Sequence, residues 1–160
     1  MQFSIVALTA LLSASALAAP ASNAKDATSY DISNVETRKY DGETINTITF
    51  NISATNGGSL NFQCGPYDPA LGYDTDSFES GKLYDCGKNS LFSFRYHTAQ
   101  DETEPEELFL WQNVSETEVL AGEVDIPNPA VCRAGGSTTN DMICTAPGQV
   151  YCITLEKTGQ

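Results

Sequence analysis

The sequence predicts an all-β protein, a compact antiparallel β-barrel or sandwich with two intrachain disulfides. Three observations predict this fold class: short runs in which apolar and polar residues alternate, Gly and Pro turn signals between those runs, and five cysteines beyond residue 60. Alternation with a period of two is typical of a strand that buries one face. Many short strands with regular turns favour a barrel or a sandwich, and no window has a helical stripe of useful length.

The N-terminus has the pattern of a secretory signal peptide. An almost uninterrupted apolar run ends at Ala16-Leu17-Ala18, whose small residues occupy the positions that a signal peptidase reads. The run is short for a membrane span, and no later segment is apolar for long enough to cross a bilayer. We therefore expect a signal peptide over residues 1–18, a flexible leader over 19–28 and a single β-barrel domain over 29–160, exported to the extracellular space.

The clearest strand pattern lies in residues 44–54, where Ile48, Phe50 and their alternating neighbours are predicted to share a buried face. Asn56-Gly57 follows, and a second alternating run occupies residues 59–63. Asn-Gly between two such runs predicts a β-hairpin with a type I′ turn, because both residues tolerate a positive φ. The same alternation predicts four further strands, at residues 92–97, 108–114, 118–126 and 150–155.

The charge balance narrows the classes of partner. The chain has 21 acidic and 8 basic residues, a formal net charge of −13. Phosphate neutralisation cannot drive binding, so nucleic acid is not an expected partner and an anionic membrane surface is disfavoured. Five acids fall within residues 101–107, where mutual repulsion predicts a mobile acidic loop. The acidity favours solubility, and the alternative interpretation is steering toward a basic partner.

The cysteines predict a disulfide framework, since an exported chain with neither a Cys-x-x-Cys motif nor a second histidine has no zinc-site pattern. Five thiols leave one unpaired and several connectivities open. Proximity favours Cys64–Cys86 and Cys132–Cys144, each worth about 3 kcal/mol in the chain-entropy model. Cys152 is then left over, and we expect either a buried free thiol, which is favoured, or an intermolecular disulfide.

No catalytic, metal or cofactor site is predicted. His97 is the only histidine, it lies at the end of a predicted strand, and no Gly-x-Ser-x-Gly motif accompanies it. A pairing of His97 with Cys152 has no supporting motif. Residues 74–79 resemble half of a calcium loop but lack its glycine and its bidentate glutamate. We therefore expect a protein that binds rather than an enzyme.

Two asparagines, Asn51 and Asn113, begin glycosylation sequons and are candidate acceptors in an exported chain. Asn51 falls on the polar side of its predicted strand. Asn113 alternates with Phe109 and Trp111, so we expect it to face a packed side. Trp111 is the only tryptophan, and we expect it in the core rather than at an exposed binding site.

The segment from Cys132 to Asn140 is a candidate recognition loop. It places Arg133, Gly135 and Gly136 in a short loop that a disulfide would close. Turn geometry explains the glycines most simply. The alternative is a loop whose disulfide lowers the entropy cost of presenting Arg133 to a partner.

Four stretches, in order, resemble the major allergen family of Alternaria, a family confined to fungi. They are Asn-Ile-Ser-Ala-Thr-Asn-Gly-Gly-Ser-Leu-Asn-Phe-Gln-Cys at 51–64, Tyr-Asp-Cys-Gly-Lys-Asn-Ser at 84–90, the segment opening Cys-Arg-Ala-Gly-Gly at 132–144, and Tyr-Cys-Ile-Thr-Leu at 151–155. The resemblance implies a compact β-barrel whose two disulfides map onto Cys64–Cys86 and Cys132–Cys144, the pairs that proximity also favours.

The same resemblance implies a secreted, non-enzymatic effector or elicitor that is allergen-like and binds host plant extracellular proteins of the pathogenesis-related type. It also implies an alternative, a carrier of flavonoid-like aromatic ligands. Two departures affect the oligomer: residues 20–50 lack the cysteine through which the allergen joins its subunits, and Cys152 has no family counterpart. A monomer and a homodimer both stay open.

Overall fold

The computed structural model describes residues 27–56, 58–99, 101, 104–127 and 131–158. The expected signal peptide, residues 1–18, lies outside this part, and so does the expected leader up to residue 26. Within the described part the chain forms twelve strands and no helix, so no helix long and apolar enough to cross a membrane is found there. The all-β prediction is confirmed.

The strands are β1 Ala27–Lys39, β2 Thr47–Ala54, β3 Asn61–Cys64, β4 Tyr67–Asp68, β5 Tyr73–Asp74, β6 Leu83–Asp85, β7 Phe92–His97, β8 Glu106–Ser115, β9 Glu118–Ile126, β10 Val131–Ala134, β11 Met142–Thr145 and β12 Val150–Lys157. β7 and β9 have the predicted bounds, whereas β8 and β12 are longer than predicted. β1 begins inside the expected leader, and β8 takes in the last two acids of the expected acidic loop.

The sheet is organised around β1. The first half of this strand pairs with β12 through Ser33, the second half pairs with β11 from Glu36, and the other edge pairs with β2. The β1–β2 register shifts between the two halves, where Asn34 has a φ of 52°. Such a bulge bends a strand and increases its twist. The sheet then runs from β2 to β3 on one side, and through β12, β9, β8, β7 and β6 to β4 and β5 on the other.

The sheet curls into a half-barrel around one apolar core. Phe50 of β2 meets Phe94 of β7 edge to face, with 5.2 Å between the ring centroids, and Tyr30 of β1 meets Phe92 of β7 at 5.3 Å. Strands that are far apart in the sheet therefore bury their apolar faces against each other. Apart from Asp141, the largest fully buried side chains are Tyr84, Tyr96, Phe50, Phe94, Ile32, Ile48, Ile52, Leu108, Leu110, Ile153 and Leu155.

The Cys64–Cys86 disulfide fastens the two sides of the half-barrel together. Cys64 ends β3, at one edge of the sheet, and Cys86 directly follows β6 on the far side. Cys64 is fully buried and Cys86 is nearly so. This bond therefore closes the curl from within the core, while Cys132–Cys144 lies apart, between β10 and β11.

The β2–β3 hairpin is present, but its predicted type I′ turn is wrong. The last pairing before the loop joins Ala54 N to Leu60 O at 3.0 Å, so the connection is longer than two residues. Asn56 does not adopt a positive φ, and its side-chain oxygen instead accepts a hydrogen bond from Gly58 N. Thr55 donates its hydroxyl to Ser29 O at 2.9 Å, which draws the loop toward β1. This tertiary contact is absent from an isolated hairpin.

Candidate functional site

Trp111 lies on the outer face of the sheet, so its predicted place in the core is wrong. Leu108 and Leu110 are the buried residues of this part of β8, and the alternation of the strand turns Phe109 and Trp111 outward. Asn113 is turned outward with them and is exposed, so the expectation that it faces a packed side is also wrong. The sequence placed Phe109 and Trp111 together correctly but assigned the pair to the wrong face, because both sides of β8 carry large apolar residues.

Four side chains on this outer face pack together, and we call them the aromatic platform: Arg95, His97, Phe109 and Trp111. The Phe109 and Trp111 rings are stacked with 6.2 Å between centroids and 20° between planes. The Arg95 guanidinium lies 5.6 Å from the centroid of Trp111, and the His97 ring lies 5.5 Å from Phe109. Cation–π and ring contacts of this kind hold the side chains in place against one another.

Strand register places three carboxylates beside Phe109 and His97, on one side of the aromatic platform. His97 of β7, Glu107 of β8 and Asp125 of β9 lie opposite one another in one row across the sheet. In the next row, Phe109 has Arg95 on one side and Glu123 on the other. Glu107, Glu123 and Asp125 are all exposed.

His97 takes part in packing. It ends β7, as the sequence predicted, and its imidazole lies between Phe109 and a loop whose Gly81 would place a Cβ 3.5 Å from the ring. Its Nε2 is buried and has no hydrogen-bond partner among the described residues. A nucleophilic site needs the base and the nucleophile within hydrogen-bond reach of each other, and that contact is not made at this nitrogen.

The second region singled out by sequence is the β10–β11 hairpin. Cys132 and Cys144 lie directly opposite each other in its register, and their disulfide crosses between the two strands. Arg133 belongs to β10 rather than to a loop. Its side chain is 63% exposed and pairs with Glu36 at 3.5 Å between the charged atoms. An exposed pair of this kind contributes at most about 1 kcal/mol and leaves Arg133 accessible.

The turn of this hairpin is built around the buried carboxylate of Asp141, a residue that the sequence analysis missed. Arg38 of β1 donates to both of its oxygens, from Nε at 3.1 Å and from a terminal nitrogen at 2.7 Å. Ser137 donates its backbone N–H at 2.8 Å. The Arg38 hydrogen bond is the main cause that lowers the pKa of Asp141 to about 2, and the Ser137 amide adds to it. This network fixes the hairpin to β1.

Gly135 and Gly136 serve the geometry of this turn, the simpler of the two interpretations weighed from sequence. A Cβ on Gly135 would overlap the Asp141 carboxyl group. Gly136 has a φ of 91°, in the left-handed region that favours glycine. The sequence does not reveal the contact of Asp141 with Arg38, because the two residues are about a hundred positions apart. The one local hint was an aspartate a few residues after the glycine pair.

Cys152 is exposed and has no disulfide partner in the described chain, so the favoured expectation of a buried thiol is wrong. Ile153 and Leu155 form the buried side of β12, and Cys152 and Thr154 alternate with them on the outside. The alternation of Tyr151-Cys152-Ile153-Thr154-Leu155 already indicates that Cys152 and Thr154 lie on the side opposite Ile153 and Leu155. The thiol stays a candidate for an intermolecular disulfide.

The two sequons differ in exposure. Asn51 is half-buried in the middle of β2, paired with Ser33 on one side and Gln63 on the other. Asn113 is exposed near the turn between β8 and β9, where the register shifts. Asn113, which we expected to face a packed side, is therefore more accessible than Asn51, which we expected on the polar side of its strand.

A cleft of about 350 Å³ with a mainly polar lining opens where β1 and β7 end and β8 begins, between Lys39, Phe78 and Glu106. Tyr96 donates its hydroxyl to the Glu106 carboxylate beside it, and burial, reinforced by that carboxylate, raises the pKa of Tyr96. The lining residues include no histidine and no cysteine. Among the described residues, no three His, Cys, Asp or Glu side chains are grouped closely enough to share a metal ion.

Comparison with known proteins agrees with the fold. The family model for Alternaria alternata allergen 1 matches residues 27–144. The major allergen Alt a 1 of Alternaria alternata is 33% identical over 97% of this chain and 96% of its own length. The allergen Ulo b 1 of Alternaria botrytis is 35% identical over 72% of this chain and 74% of its own. A crystal structure of the Alternaria alternata allergen superposes with a TM-score of 0.66 at 32% identity, covering 83% of this chain and 96% of that one. This chain therefore belongs to the Alternaria alternata allergen 1 family.

Proposed function

We propose that this protein is a secreted effector or elicitor that acts by binding host plant defence proteins of the pathogenesis-related type, without catalysis. The observation that carries the proposal is the aromatic platform. Trp, aromatic and Arg side chains are enriched at the energetic centres of protein interfaces. Here they stand on the outer face of a strand-paired, disulfide-closed sheet, so little conformational entropy is lost when a partner docks.

Secretion is part of the proposal. It is supported by the signal-peptide pattern before Ala18 and by two disulfides, which persist in oxidising compartments. The proposal of a host plant partner rests on membership of a family whose relatives include fungal allergens and on what the sequence resemblance implies.

Capture of purified pathogenesis-related proteins on the immobilised mature chain tests the proposal. We expect the wild-type chain to retain at least one of them, and Trp111→Ala to weaken that binding about tenfold or more. Tyr73→Ala is a matched control, because Tyr73 is an exposed aromatic residue on β5, outside the aromatic platform. Retention of none of these proteins by a correctly folded chain would refute the proposal.

A second candidate is a carrier of flavonoid-like aromatic ligands, favoured by the stacked Phe109 and Trp111 rings, which offer an aromatic surface outside the core. Contacts such as Phe50 against Phe94 occupy the concave side of the sheet, so a ligand would have to bind at the surface. Trp111 is the only tryptophan, so its fluorescence reports on this site directly. Saturable quenching by a flavonoid supports the carrier function, and a flat titration excludes it.

A further inference from the structure

We propose that the aromatic platform and the carboxylates of Glu107, Glu123 and Asp125 together form a docking surface for a basic segment of a partner protein. The inference rests on the proposed function, that the chain acts by binding another protein, and it adds the place of contact and the charge of the partner. Four observations carry it: the layout of the surface, its unneutralised charge, the use of the chain's own cations elsewhere, and the charge of a second copy.

The layout is that of an interface with an apolar centre and a charged rim. Phe109 and Trp111 occupy adjacent positions on the outward side of β8, and Arg95 stacks over Trp111 from β7. Glu123 flanks Phe109 on β9, while Glu107 and Asp125 lie in the neighbouring row. Neighbouring strands are about 4.8 Å apart, so β7 to β9 present this group over about 10 Å. Aromatic and Arg centres with polar rims are the usual anatomy of protein-binding surfaces.

The rim is negatively charged and unneutralised. Among the described residues, Glu107, Glu123 and Asp125 form no ion pair and no side-chain hydrogen bond. They differ in this from the buried carboxylates, since Asp141 is held by Arg38 and Asp68 by Lys82. A basic partner would supply cations to three carboxylates that pair with none of the chain's own in the described part.

Four of the chain's eight cations pair with carboxylates elsewhere. Arg38 and Lys82 hold buried carboxylates, Arg133 pairs with Glu36, and Lys157 pairs with Glu118. Arg95 stays on this face, where its guanidinium lies over Trp111 and forms no ion pair with the three carboxylates, which outnumber it. The rim therefore keeps its negative potential, which attracts a basic surface and raises its rate of association.

A second copy of the chain does not fit this surface. Each copy has a formal net charge of −13, and a two-fold interface here would bring the same carboxylates toward one another. Like charges facing each other across an interface disfavour association. A partner with exposed Lys and Arg side chains fits both the charged rim and the aromatic rings. The charged ends reach the carboxylates, and the aliphatic stems cover the rings.

A charge-reversal experiment on the mature chain, made without glycosylation, tests the surface independently of any host protein. The probe is poly-L-lysine, which has no aromatic residue, so the fluorescence of Trp111 reports on binding at the aromatic platform. The test variant carries Glu107→Lys, Glu123→Lys and Asp125→Lys. The control carries Glu43→Lys, Asp74→Lys and Asp76→Lys, which change the net charge equally at exposed positions off this face.

We expect poly-L-lysine, but not poly-L-glutamate, to protect Trp111 of the wild-type chain from quenching by acrylamide. The test variant should bind about tenfold more weakly or worse, the control should lose about threefold or less, and the wild-type affinity should fall as salt is added. Equal losses in the two variants would mean that only the overall charge matters, and would overturn the inference. Circular dichroism confirms that both variants are folded.

A second measurement separates failure of this inference from failure of the proposed function. One basic and one acidic pathogenesis-related protein are titrated against the wild-type chain, the test variant and the control. Tighter binding of the basic protein, weakened only in the test variant, supports the inference. Binding that is indifferent to partner charge and to the test variant overturns it and leaves the proposed function standing. Binding of neither protein overturns both.

Discussion

The Asp141 carboxylate shows how one residue can determine the position of a whole hairpin. It is buried beneath the turn between β10 and β11, where Arg38 contacts both of its oxygens and the Ser137 amide donates to one of them. A buried charge is tolerated only when it is paired and hydrogen-bonded, and here both conditions are met. The hairpin is thereby fixed to the second half of β1. The Asp141 carboxyl group also fills the space next to Gly135, so a side chain there would not fit.

Acid should weaken the protein through this carboxylate. The folded chain lowers the pKa of Asp141 from 3.8 to about 2, chiefly through the Arg38 hydrogen bond. The stabilisation is therefore present above pH 3.8 and is lost as the pH falls through about 2. We expect the urea midpoint of the wild type to exceed that of Asp141→Asn at neutral pH, and the difference to shrink in acid. Arg38→Gln should move the loss of stability to higher pH, because the Asp141 pKa is then lowered less. If the urea midpoints of wild type and Asp141→Asn changed in parallel at all pH values, Asp141 would not be the group responsible.

Gly135→Ala should destabilise the fold because the new methyl group would overlap the Asp141 carboxyl group. We expect a loss of about 1–3 kcal/mol in the free energy of unfolding, the usual cost of overpacking a filled site. Gly65→Ala is the matched control, since a Cβ there would lie 3.5 Å from the Thr49 methyl group, an ordinary contact. Equal effects of the two substitutions, measured by chemical denaturation, would rule out this role for Gly135.

Individual strands differ in whether their sequence reveals which face is buried. In β2 the residues that alternate with Ile48, Phe50 and Ile52 are polar, so the buried face is unambiguous from the sequence. In β8 both faces carry large apolar side chains, and only pairing with β7 and β9 decides that Leu108 and Leu110 point inward. Strand β12 is intermediate, since Ile153 and Leu155 mark its buried side and leave Cys152 outside.

The outward position of Cys152 on β12 predicts an accessible thiol. We expect a thiol reagent to modify one cysteine per chain in the native protein without reductant, and Cys152→Ser to abolish the reaction. In a Cys152-linked dimer this thiol is oxidised, so the reagent should react only after reduction, and size-exclusion chromatography should show a monomer after reduction and for Cys152→Ser. A thiol that reacts only after denaturation would contradict the exposed position.

Across the whole molecule, the closure of the curled sheet depends on contacts that are distant in sequence. The Cys64–Cys86 bond joins the β3 edge to the end of β6, and Phe50 packs against Phe94 on the concave side. The Cys132–Cys144 bond instead joins two strands that already pair with each other. The first disulfide therefore stabilises the closed shape of the half-barrel, and the second stabilises one hairpin.

Removing the disulfides one at a time should expose this difference. Loop entropy alone predicts a loss of about 3 kcal/mol for each bond. The pair Cys64→Ala and Cys86→Ala should lose more than Cys132→Ala and Cys144→Ala, because it also leaves a gap in the packed core where Cys64 was fully buried. The free energies of unfolding in urea measure both losses. A smaller loss for the core pair would contradict its role in closing the sheet.

Much of this architecture can be derived from the sequence because strand periodicity and turn residues act locally. The strands β7 and β9 follow from local alternation, and proximity together with the family resemblance favoured the two cysteine pairs that the structure shows. The type I′ turn at Asn56 was predicted wrongly because Thr55 bonds to Ser29 on another strand. Trp111 and Asn113 were assigned to the wrong side for a related reason, since the pattern of β8 fits either face.

The sequence by itself determined the all-β class and the family and favoured the correct cysteine pairs, since these depend on local alternation and on motifs that are continuous along the chain. Only the tertiary structure decided which face of β8 is outward, that Asp141 and Arg38 meet, and that three carboxylates lie beside Phe109 and His97. The physical reason is that these arrangements come from pairing between β1, β7, β8, β9 and β11. The register between separate strands depends on how the entire curled sheet closes over its core.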